Sequence, residues 1–198
     1  MKNYRKLLAG SLALFLAVGI TGCSNTSGGG TGVANEDGLV VLNVASTGQP
    51  VSFDPADANL VVNEYTEYDC YDTLLDFNQD GTDVVPALAE SWEQVDDLTY
   101  TYKIREGVKW VDVNGNEKAD CNAWDFAAGL EWVLNFHKND SANTSMPLEM
   151  IEGAEEYYEW TKTLTQEEAY ALDASEGSTF MEMVGIEVPD DYTVIYHC

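Results

Sequence analysis

Apolar and polar residues alternate strictly between Thr99 and Arg105: Tyr100, Tyr102 and Ile104 fall on one side, Thr99, Thr101, Lys103 and Arg105 on the other. Period two with one apolar face predicts a strand half-buried against a core. Trp92 to Val95 precedes it across Asp96-Asp97, which predicts a hairpin, and Val108 to Val113 continues the β pattern after a turn at Glu106-Gly107. The period then changes. Asn122 with Asp125 three residues on is a variant capping box, followed by Phe126, Leu130, Val133, Leu134 and His137 at helical spacing. Glu149 to Lys162 and Thr165 to Leu172 also read as helices, the second opening on the box Thr165-x-x-Glu168. Tyr192 to His197 reads as a strand, as does the apolar, β-branched run Leu39 to Ser46. Thr47 to Pro55 contains two prolines and a glycine and is predicted irregular. A helix is expected over Val62 to Asp76, and a short helical turn over Pro86 to Ser91, with proline at the permissive first position. No repeat recurs along the chain.

The N-terminus follows a different logic. Lys2, Arg5 and Lys6 precede an uncharged, mostly apolar run from Leu7 to Ile20. That run is shorter than the ~20 residues of a membrane-spanning helix and has the layout of a signal peptide. Ile20-Thr21-Gly22-Cys23 resembles the lipobox of bacterial lipoproteins, in which the cysteine thiol receives a diacylglycerol and becomes the first mature residue. Residues 1–22 are thus expected to be removed and Cys23 lipidated. The Ser-, Gly- and Thr-rich stretch from Ser24 to Asp37 has almost nothing to bury, so residues 23–38 are expected to form a flexible tether. Two acyl chains suffice for stable anchoring.

Composition removes whole classes of function. Nine basic residues face 35 acidic ones, a formal charge of −26, and three of the nine lie in the expected signal peptide. No basic patch exists to displace counterions from phosphates, so nucleic acid is excluded as a partner. The acids are spread along the chain and read as a solvated exterior. Beyond Cys23, export permits disulfides, and Cys70 with Cys121 are the candidates to pair, Cys198 being left over; buried free thiols are the alternative. His137 and His197 have no Cys or His partner at metal-ligand spacing, so core packing and a strand end are their expected roles. No Gly-x-Ser-x-Gly, Walker A or His-Glu-x-x-His motif occurs, and no catalytic set or cofactor is expected. Asp76 to Gly81 matches the first half of a calcium loop, but position twelve is Ala87 and Pro86 precedes it, so a turn at Asp80-Gly81 is expected instead. Asp112 to Asn116 is read the same way.

Several longer stretches resemble one family. They are Phe53-Asp54-Pro55, Tyr71-Asp72-Thr73-Leu74-Leu75, Val85-Pro86-Ala87-Leu88-Ala89-Glu90-Ser91-Trp92, and the continuous run from Leu98 to Trp110. Asp125-Phe126 with Gly129-Leu130, and Asp190-Asp191-Tyr192-Thr193-Val194, follow in order. Together they are similar to the N-terminal part of family 5 extracellular solute-binding proteins, the oligopeptide- and dipeptide-binding group of ABC importers. The resemblance implies an α/β, periplasmic-binding-protein-like (Venus flytrap) fold. It implies a lipid-anchored, monomeric receptor on the extracellular or periplasmic side of the cell membrane. Such a receptor captures a peptide or other small solute and delivers it to permease and ATPase subunits, without catalysis.

Family members are much longer, so the chain is expected to hold an incomplete flytrap. Residues 39–60 would start lobe I, 61–184 would form the extra α/β subdomain, and 185–198 would return to lobe I. The segment from Met146 to Met183 departs from the family in being more acidic and longer. The loop Thr47, Gln49, Pro50, Val51 and Ser52 corresponds to one that faces the cleft in peptide-binding relatives. Gln49 stands where an acidic residue can meet a peptide amino terminus, so recognition of a free α-amine is left open, as is a merely structural turn. Peptide, oligosaccharide and metal chelate all suit an aromatic-rich cleft. A non-transport surface lipoprotein, an adhesin or signalling module on the same scaffold, is the alternative.

Overall fold

The computed structural model describes residues 33–34, 40–41, 48, 70–138 and 144–198. The chain divides into two units, residues 1–45 and 46–198. In the first, strands β1 (Val33–Ala34) and β2 (Val40–Val41) pair antiparallel, with Val33 opposite Val41. Val40–Val41 falls within the predicted strand at Leu39 to Ser46, whose remaining residues lie outside the described ones.

The second unit begins with two short hairpins around a longer one. β3 (Leu75–Phe77) pairs with β4 (Val84–Pro86). The expected helix over Val62 to Asp76 is therefore corrected in its described part, where residues 71–74 are irregular and Leu75–Phe77 is strand. The turn between β3 and β4 decides this. The Asn78 Oδ1 accepts the Thr82 backbone N–H at 2.9 Å, and Gly81 takes a left-handed φ of 65°. The Asp76 loop is thus a hairpin turn.

β5 (Ala89–Gln94) and β6 (Thr99–Ile104) form the predicted hairpin, with Trp92 opposite Tyr102. The helical turn expected at Pro86 to Ser91 is corrected too, because pairing with β6 draws Ala89 to Ser91 into a strand. Pro86 ends β4, where its missing N–H costs no ladder bond. β7 (Lys109–Val111) pairs with β8 (Glu117–Asp120) across a turn closed by Asp112, whose Oδ1 accepts the N–H groups of Asn114 and Asn116 at 2.9 and 3.0 Å.

Helix α1 (Ala123–Leu134) starts at the Asn122 capping box: the Asn122 N–H donates to Asp125 at 2.8 Å, and Trp124 N–H donates back to Asn122 Oδ1 at 2.9 Å. Its buried stripe is Ala123, Ala127, Glu131 and Leu134, while Phe126 and Leu130 pack at the edge of the core. His137 lies in the turn beyond the helix, half-buried, with its Nε2 buried and unpartnered. The helix predicted from Glu149 to Lys162 is two helices, α2 (Ser145–Met150) and α3 (Ala154–Thr161), separated at Gly153, where φ is 70°. α4 (Gln166–Tyr170) opens on the Thr165–Glu168 box as predicted, and α5 (Thr179–Met183) follows.

β9 (Ile186–Asp190) and β10 (Thr193–His197) then complete a four-stranded antiparallel sheet in the order β5-β6-β10-β9. Residue 185, where the return to lobe I is expected, lies between α5 and β9. Ile104, Ile186 and Val194 from the sheet meet Leu134, Tyr157 and Phe180 from the helices in one buried cluster. Tyr157 and Phe180 contact edge to face, 5.2 Å between centroids at 79°.

Candidate functional site

Cys23 and the loop residues Thr47, Gln49, Pro50, Val51 and Ser52 lie outside the described residues; Gly48, within that loop, is exposed. The cavities described below are lined by residues of the second unit. One cavity of ≈ 500 Å³ opens beside the β7–β8 hairpin, lined among others by Cys70, Tyr71, Leu88, Lys109, Trp110 and Cys121. Tyr71 and Trp110 are each 41% exposed, so two aromatic rings are presented to solvent rather than to the core. The hairpin that carries Trp110 is braced by charge as well as by backbone. Lys109 is ion-paired with Asp120, and Lys118 meets Asp112 at 2.8 Å. Lys118, then the Asn116 side chain, hold the Asp112 carboxyl well below the usual carboxylate range.

The two cysteines expected as a candidate bridge line this same cavity, both as free thiols. Cys70 is exposed and Cys121 is buried. Burial, reinforced by the Asp125 carboxylate, pushes the Cys121 thiol up to about 11. A thiol that keeps its proton at neutral pH is neither a ready nucleophile nor a ready partner for oxidation.

A more polar cavity of ≈ 400 Å³ lies at the other end of β6, with Lys103, Arg105, Glu106 and Asp190 on its wall. Its cations are already engaged by the protein. Lys103 donates to Thr193 Oγ1 at 2.6 Å, and Arg105 donates to the Ala87 carbonyl at 2.5 Å. Asp190 accepts the Thr193 hydroxyl and the Tyr192 N–H, which hold its carboxyl below the usual range. This end of the sheet is a structural corner. Among the described residues, no group of three or more His, Cys, Asp or Glu side chains is placed to hold a metal ion. His197 is tied at its strand end, with Nε2 2.8 Å from Glu187 Oε1.

One constellation escaped the sequence. Glu131, 3% exposed, accepts Asn135 Nδ2 at 2.8 Å and the Tyr157 hydroxyl at 2.9 Å on one oxygen, and Lys138 Nζ at 2.6 Å on the other. Charged residues seven apart ordinarily read as solvated. The usable signal was that Glu131 continues the Ala123–Ala127 stripe at i+4.

An antiparallel sheet with helices packed against it makes the described part of the second unit a mixed α/β segment. Solved structures place that segment in the fold of periplasmic oligopeptide-binding proteins. Haemophilus influenzae OppA in complex with RPPGFSPFR superposes with a TM-score of 0.56 at 24% identity, over 76% of this chain and 25% of that one. The periplasmic murein tripeptide-binding protein MppA, in its unliganded open form, gives 0.57 at 21% identity, over 75% and 24%. The chain belongs to the bacterial extracellular solute-binding proteins, family 5, whose pattern matches residues 83–198. Among curated relatives, the oligopeptide-binding protein AmiA of Streptococcus pneumoniae is 30% identical over 99% of this chain and 26% of its own length. SarA of Streptococcus gordonii, also an oligopeptide-binding protein, is 28% identical over 99% and 27%. The chain thus spans about a quarter of the length of these relatives. No helix among the described residues is long and apolar enough to cross a membrane.

Proposed function

We propose that this chain is the N-terminal portion of the substrate-binding lipoprotein of an ABC importer. The receptor captures oligopeptides outside the membrane and hands them to a permease, with no reaction of its own. The observation that carries this reading is the similarity to AmiA along 99% of the chain. Supporting it are the fold shared with peptide-binding proteins and the lipobox at Ile20 to Cys23. In this reading Cys23 carries the lipid. Residues 23–38 hold the body off the membrane, and Thr47, Gln49, Pro50, Val51 and Ser52 face the ligand. Gln49 supplies neutral hydrogen bonds to the peptide main chain, where a carboxylate would demand a charged α-amine. Affinity in such a receptor comes from closing two lobes around the ligand and excluding water.

Calorimetry with a mixed oligopeptide library, on the protein expressed from its whole reading frame, tests this. Saturable binding is expected, weakened by Gln49→Ala, with every recovered peptide intact. Absence of peptide binding would favour the surface-lipoprotein alternative, and cleaved peptides would show an enzyme.

A further inference from the structure

We draw no further inference here: the strongest candidate, the cavity beside the β7–β8 hairpin with Cys70, Tyr71, Trp110 and Cys121 on its wall, carries nothing because nothing in the structure shows what covers it.

Discussion

Glu131 sits on the buried stripe of α1 and binds three donors, and what it holds is larger than itself. Lys138 reaches from Glu131 to the Leu172 carbonyl at 2.6 Å, and Asn135 donates to the Ala169 carbonyl at 2.9 Å. One carboxylate therefore joins the end of α1 to α3 through Tyr157 and to the α4 region through its neighbours. Burial, then the Glu131 charge, raises the Tyr157 hydroxyl above its ordinary range, keeping it a donor. Removing the acid alone strands a buried ammonium and a buried phenol. Glu131→Leu should cost about 3–5 kcal/mol in urea unfolding, and Glu131→Gln less, because the amide oxygen still accepts. Several exposed carboxylates show the opposite pattern. Asp96, Glu168, Asp173 and Asp190 are all held below their ordinary range, chiefly by the Leu98 N–H, the Thr165 N–H, the Ser175 hydroxyl and the Thr193 hydroxyl respectively. Their stabilising contribution is complete above the unfolded carboxylate range, about pH 4, and is lost as pH falls through the depressed folded values. Chemical denaturation from pH 7 downward should show a midpoint that stays flat and then drops below about pH 4.

At the scale of elements, the break between α2 and α3 is the least replaceable feature. Glu152 N–H donates to the His197 carbonyl at 3.0 Å, and its own carbonyl accepts the Gly185 N–H at 2.7 Å, so the inter-helix turn is stitched to the sheet. Gly153 takes φ 70° there, and a Cβ at that position would stand 1.8 Å from the Met183 carbonyl oxygen. Gly177 has a similar φ of 73° with nothing within 4 Å of an added Cβ. The two glycines separate backbone strain from steric collision. Gly177→Ala should lower stability by about 1 kcal/mol, the left-handed penalty alone. Gly153→Ala should exceed about 4 kcal/mol or prevent folding, since backbone rather than a side-chain tip must move. Thermal unfolding of both variants checks the contrast, and equal midpoints would show that the turn can relax.

For the whole molecule, the sheet brings β10, with β9 on its far side, beside β6, about 90 residues earlier in the chain, so residues 89–104 and 186–197 stabilise each other and neither is a free-standing piece. Anchoring is the other molecular property. In the lipoprotein reading, Cys23 is the attachment point, and it precedes the body formed by residues 46–198. Cys23→Ala should release the protein from the membrane fraction or leave an uncleaved precursor, with the thermal midpoint of the body unchanged. Mass spectrometry of the N-terminal peptide and fractionation read this out, and identical fractionation without acyl mass would refute the lipidation.

The sequence alone determined what depends on neighbours along the chain. The β5–β6 hairpin follows from strict alternation around Asp96-Asp97. The starts of α1 and α4 follow from Asn122 and Thr165 with their capping partners, and the family follows from the run through Trp110. Each is a local free-energy preference, a cap, a turn or a pleat, and local preferences can be read locally. Tertiary structure alone decided the strand at Leu75–Phe77, the conversion of Ala89 to Ser91 from helical turn to strand, and the split at Gly153. There, pairing with a partner strand or a carbonyl 30 residues away outweighs propensities worth tenths of a kcal/mol per residue. The sites divide in the same way. A lipobox is a contiguous signal, whereas the contact of Tyr102 with Tyr196 and the bond of Glu131 with Tyr157 exist only once β10 has found β6 and α3 has packed on α1, because each joins residues far apart in the chain.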